Sequence, residues 1–154
     1  MNNMNSNYTR EIVVSSTPAA AYKALTTGFD KWWTTGTNQI TETGDKITFK
    51  FGPSYWVMRA IKLVSESMVE LECIEAHHLH DGLPSSILNE WKGSKLKWEI
   101  QKRKEKTKIV LVNEGLVPSL ECYEVCEQGW DYFFVISLQL YLDTGEGSPF
   151  ENKP

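Results

Sequence analysis

The spacing of apolar positions changes along the chain, and each change marks a change of element. Residues 8–15 (YTREIVVS) are rich in β-branched side chains and predict a strand. Ser16-Thr17-Pro18 then sets a hydroxyl cap ahead of a proline, a helix-start signal. The helix it predicts runs over 18–26, with Ala21 and Leu25 four apart on the buried side. Gly28 ends it, and a second short helix is expected to carry Phe29, Trp32 and Trp33.

A run of strands follows. Gly44-Asp45 separates a short strand expected near 40–43 from 46–51, where Ile47, Phe49 and Phe51 alternate with Thr48 and Lys50. Gly52-Pro53-Ser54 turns the chain into a long strand over 55–64. Ser65-Glu66-Ser67 turns it again into 68–76, with Val69, Leu71 and Cys73 on one face. Residues 77–89 read as a loop containing Gly82 and Pro84. Residues 94–103, with Leu96, Trp98 and Ile100 inward, and their antiparallel partner 107–114 complete about six strands.

Over 120–143 the period becomes helical. Cys122, Cys126, Trp130, Phe133, Ser137 and Tyr141 form one stripe, widened by Phe134 and Leu138. Glu121, Glu124 and Glu127 stand near the N-terminus, where the helix dipole favours them. Gly145 and Gly147 supply the stop. The order of strand, two short helices, about six strands and one long helix predicts an α+β domain of two layers. A long helix laid on a curved antiparallel sheet can leave an apolar gap between them, a natural small-molecule site. A single domain over 8–147 is expected, with 1–7 and 148–154 as flexible ends.

Composition narrows the function. The 154 residues are 41% hydrophobic and 23% charged with net charge -4, which suits a globular domain and gives no support to nucleic-acid binding. No apolar run is long enough for a membrane span, and the first ten residues hold no signal core. Three cysteines, an odd number, fit a reducing compartment, so the cytoplasm is the expected location. Six Trp, six Tyr and six Phe are the unusual feature, and they can fill a core or line a cavity.

Four segments carry a family resemblance: IVVSSTPAAAYKALTTGFDKWW (12–33), NEWKGSKLKWEI (89–100), IVLVNEGL (109–116) and GWDYFFVISLQLYLDTGEGSP (129–149). Together they resemble the START-like helix-grip superfamily, and within it the homologues of activators of the large heat-shock chaperone's ATPase. Ser94 stands after Gly93 where members of that subfamily commonly carry threonine. The loop HHLHDGLPSS (77–86) is not a family pattern. The resemblance implies a curved antiparallel sheet wrapped around the C-terminal helix. It also implies one of three activities: binding of a lipid-like or polycyclic molecule, regulation of a chaperone or another protein partner, or cyclase-type catalysis.

Candidate residues follow. Trp56, Met58, Arg59, Trp91, Trp98, Cys122, Cys126, Trp130, Phe133, Phe134 and Ser137 are the expected cavity walls. His77, His78 and His80 with Asp81 have zinc-compatible side chains but no recognised spacing, so they read as a solvated loop. Cys122 and Cys126, one helical turn apart, read as packing groups, since free cysteine behaves as a small hydrophobe. Lys95, Lys97 and the run Lys102-Arg103-Lys104-Glu105-Lys106-Thr107-Lys108 could dock an acidic partner, but read first as a solvated hairpin. Arg59, Glu72 and His77 are the polar groups a cyclase could use. No catalytic motif is present. The reading from sequence is therefore non-catalytic binding of a hydrophobic or aromatic molecule, with no metal or cofactor expected.

Overall fold

Alternating side chains build the sheet. The computed structural model describes residues 6–152, and the rest of the expected flexible ends lies outside them. Seven strands, β1 (Tyr8–Val14), β2 (Gly36–Thr37), β3 (Lys46–Phe51), β4 (Ser54–Val64), β5 (Met68–His77), β6 (Lys95–Arg103) and β7 (Lys106–Glu114), form one curled antiparallel sheet. Their order is β1-β7-β6-β5-β4-β3-β2, a meander whose last strand pairs with the first. Val69, Leu71 and Cys73 on β5 face inward, as do Leu96, Trp98 and Ile100 on β6. The polar residues between them face out.

Between β1 and β2 the chain crosses the inner face as helix α1 (Pro18–Ala24) and a single 3-10 turn, Phe29–Lys31. Thr17 Oγ1 accepts from Ala20 N at 3.1 Å, and Pro18 occupies the first helical position. The second short helix thus shrinks to one turn, and Trp32 and Trp33 lie just past it, both buried. The strand expected near 40–43 is absent. Asp45 Oδ2 instead accepts from Thr41 N and Glu42 N, at 2.9 and 3.1 Å, diverting those donors from a ladder. Ile40 is fully buried and its N–H bonds Thr26 O at 3.1 Å.

The C-terminal helix α2 covers residues 123–144 and lies on the inner face of the sheet. It starts and ends α-helical, at Tyr123–Trp130 and Gln139–Thr144, but Asp131–Leu138 is π-helical. Gly145 closes it in the left-handed conformation, φ 92°. Gly147 instead permits a close approach of two backbones, since a Cβ there would lie 2.5 Å from the Lys31 carbonyl. The end expected to be frayed is held at 148–152. Phe150 N donates to Trp33 O at 2.8 Å, and the Asn152 amide bonds Thr34 Oγ1, Lys50 O and Gly52 N. It replaces water at the sheet edge, so those backbone groups are paired.

Candidate functional site

One end of the interlayer space is left unfilled. A cavity of about 270 Å3 opens between β4, the chain leaving β5 and the first turns of α2. Six aromatic rings line it: Trp33, Phe51, Trp56, Trp91, Trp130 and Phe133. Trp56 stands 5.5 Å from Trp91, and Trp91 stacks on Trp130 at 6.3 Å, centroid to centroid. Trp33 lies 4.7 Å from Trp130. These contacts hold the rings rigidly, beyond what burial alone contributes.

Each wall has a local cause. The β4 alternation turns Ser54 and Trp56 inward. Trp130 is oriented by the buried Asn113 amide, which accepts from Trp130 Nε1 at 3.1 Å and donates to Lys95 O at 3.2 Å. Ser54 Oγ donates to Leu79 O at 3.0 Å and accepts from Leu79 N at 2.9 Å. His78 N donates to Leu88 O at 2.9 Å. Those bonds fix the His78–His80 stretch against the cavity, and His78 and His80 both join its wall. Several buried polar nitrogens stay unpaired: among the described residues Trp56 Nε1, Trp91 Nε1, Trp98 Nε1 and His78 Nδ1 find no partner.

The cysteines differ in surroundings. Cys73, on β5, is buried, which pushes its thiol up to about 12. The Cys122 thiol is raised by its hydrogen bond with Cys126 and by burial, with His78 acting in the opposite sense. Glu90 accepts from Glu121 N and Cys122 N, at 3.0 and 3.1 Å, and so holds the turn that leads into α2.

Of the residues expected in the walls, Trp56, Trp91, Cys126, Trp130 and Phe133 line the cavity. Met58, Trp98, Cys122, Phe134 and Ser137 are buried in the packed core instead. Ser137 bonds Trp32 O and Ser148 N, each at 2.7 Å, tying α2 to the chain around it. Arg59 corrects its own expectation: with Trp56, Met58 and Ala60 inward, it falls on the outer face and is exposed. Glu72 and His77 also stand apart from the cavity, His77 stacked on Tyr55 at 5.1 Å. The solvated-loop reading fails for His78, which is 6% exposed. Sequence reasoning passed over Trp33, Phe51, Ser54, Leu79, Val125 and Gly129 as wall residues. Inward alternation signalled Phe51, but the others depend on long-range packing.

The basic run forms the exposed β6–β7 hairpin tip, with Lys104 at φ 55°. Part of its charge is paired locally, Lys108 with Glu11 at 3.1 Å and Lys97 with Glu99 at 3.2 Å. No helix among the described residues is long and apolar enough to cross a membrane.

No protein-family model matches the chain, and no curated protein does. Solved structures do. The Aha1 dimer from Colwellia psychrerythraea is similar over 92% of this chain and 99% of that one, with TM-score 0.75 and 23% identity. DynU16, a protein of the dynemicin biosynthetic locus, gives TM-score 0.69 at 14% identity, covering 92% of this chain and 48% of that one. CalU16 from Micromonospora echinospora gives 0.60 at 9%, over 84% and 71%. At such identities a likeness carries fold and not activity. What this chain shares with them is the α+β helix-grip architecture, a curled antiparallel sheet with one long C-terminal helix, and that is its fold.

Proposed function

We propose that the protein binds a compact aromatic molecule in the cavity beneath α2 and does not transform it. The observation that carries this reading is the aromatic wall of the cavity, formed by Trp33, Phe51, Trp56, Trp91, Trp130 and Phe133. Such a wall suits a flat ring, which stacks on indole and phenyl faces and buries its apolar surface against them. Size selects further. Small-molecule sites span roughly 300–1,000 Å3, and about 270 Å3 favours one or two fused rings over a long lipid chain. Binding without turnover is favoured because the Ser54 hydroxyl is engaged on both sides by Leu79, while Arg59, Glu72 and His77 lie away from the cavity.

Native mass spectrometry of gently purified protein is expected to show a mass excess that denaturation removes. Naphthoic acid and coumarin are expected to quench the tryptophan fluorescence saturably, and Trp91→Phe to weaken that binding about tenfold. A bare native mass together with no fluorescence response to either compound would overturn the reading.

A second reading concerns the opposite side of α2. Tyr132, Ile136 and Leu140, four apart, are 43%, 55% and 45% exposed and form an outward apolar stripe. The similar Colwellia protein is a dimer. We propose that this stripe meets a second copy of the chain.

A further inference from the structure

We propose that His78, Cys122 and Cys126 form a binding site for a thiophilic divalent metal ion, zinc(II) by its chemistry. One ring nitrogen of His78 and the two Sγ atoms all lie within 4.8 Å of one another. The three side chains are 6%, 0% and 9% exposed. In tetrahedral zinc, with bonds of roughly 2.0–2.3 Å, neighbouring donor atoms stand about 3.5–3.8 Å apart. Side-chain shifts of about 1 Å therefore close the cluster around an ion.

The fold assembles these donors from distant places. Cys122 and Cys126 are one turn apart at the start of α2, so their thiols share one face of the helix. Glu90 fixes that turn through the Glu121 and Cys122 amides. His78 arrives from the end of β5, pinned by Leu88 O through its own N–H and by Ser54 through Leu79. Such backing holds ligands in place before the metal arrives.

The independent sign of a ligand is His78 itself. Its Nδ1 is buried and finds no hydrogen-bond partner among the described residues. A buried ring nitrogen without a partner calls for an explanation, and a metal bond supplies one. Two sulfurs and one imidazole make a donor set that suits zinc. His78 and Cys126 both border the cavity, which leaves a fourth position for water or for a donor atom of a molecule bound there. Cys73 stands outside: its thiol donates to Glu75 O at 3.4 Å.

The test uses cobalt(II) alone, added to metal-free protein kept reduced with a phosphine. Uptake of one equivalent is expected, with sulfur-to-cobalt charge-transfer absorption and the intense visible bands of tetrahedral cobalt, both erased by zinc(II). Cys122→Ser, Cys126→Ser and His78→Gln are each expected to weaken uptake about a hundredfold or more, since even outer partners of a ligand contribute 10- to 100-fold. Cys73→Ala is expected to bind as the unaltered protein does. Only the pale six-coordinate spectrum with the unaltered protein would overturn the proposal. So would equal uptake by a Cys122→Ala/Cys126→Ala variant that melts cooperatively. The cobalt spectrum needs no small molecule in the cavity, so it stands or falls separately from the ligand reading.

Discussion

Tyr8 shows what one side chain does for the attachment of β1 to α2. Its hydroxyl donates to Asp131 Oδ1 at 2.6 Å, the Arg10 Nε donates to the same oxygen at 3.0 Å, and Arg10 also meets Glu127 at 3.2 Å. The carboxylates and the guanidinium are more than a third exposed, so the ion pairs contribute at most about 1 kcal/mol each. The Tyr8 bond counts for more because the ring is 1% exposed. Tyr8→Phe is expected to cost about 1–2 kcal/mol. Burial and Asp131 raise the Tyr8 phenol well above its ordinary value. A raised folded value means the unfolded chain loses this proton first, near pH 10. The contribution is therefore complete below about pH 10 and declines as pH rises further. Urea unfolding at about pH 8 and again above pH 10 should show the gap between the two proteins narrowing; a constant gap would place the phenol proton elsewhere. The wall residues are legible one by one only in part. Trp56, Trp91 and Trp130 could be singled out as aromatic, but Met58 and Trp98, apolar in the same pattern, are packed solid. Alternation says which way a side chain faces, not whether anything fills the space before it.

At the scale of an element, α2 explains why an i, i+4 stripe persists for so long. In a regular α-helix each step of four residues advances about 40° beyond a full turn, so Cys122, Cys126, Trp130, Phe134, Leu138 and Leu142 would spiral off one face. All six are buried. The π-helical Asp131–Leu138 winds more slowly, with i→i+5 bonds, and brings the stripe back to the sheet. The same unwinding keeps Tyr132, Ile136 and Leu140 together on the outer side. Ile136→Glu is expected to convert a dimer to a monomer in sedimentation equilibrium while leaving the melting temperature within a few degrees. A monomeric unaltered protein at high concentration would remove the second reading. Helix and stripe were both readable from spacing, but not the π segment, because i, i+4 repetition fits either winding over short stretches.

The whole molecule closes through its C-terminal end. Phe150 packs on Phe51 at 5.4 Å, pairs with Thr34 as a parallel bridge, and brings Asn152 over the β2–β3 edge. Removing 148–154 is expected to cost about 2–3 kcal/mol in lost hydrogen bonds and burial. For a chain of this size that lowers the melting temperature by roughly 5–10 °C in calorimetry. An unchanged melt would mean the edge is held without it. The succession of strands, the capped start of α1, the long C-terminal helix and the two-layer α+β class were determined by the sequence itself, since spacing and turn chemistry act over a few residues; the helix-grip arrangement was implied only by the family resemblance of four segments. The two-residue β2, the docked end, the outward Arg59 and the unfilled cavity were decided only by tertiary packing. So was the meeting of His78 with Cys122 and Cys126, more than forty positions away in the chain. A local pattern sets which face of an element is buried. Which buried groups then meet depends on how separate elements share one interior, and a polar-looking loop that drops a histidine into that interior leaves no periodic trace.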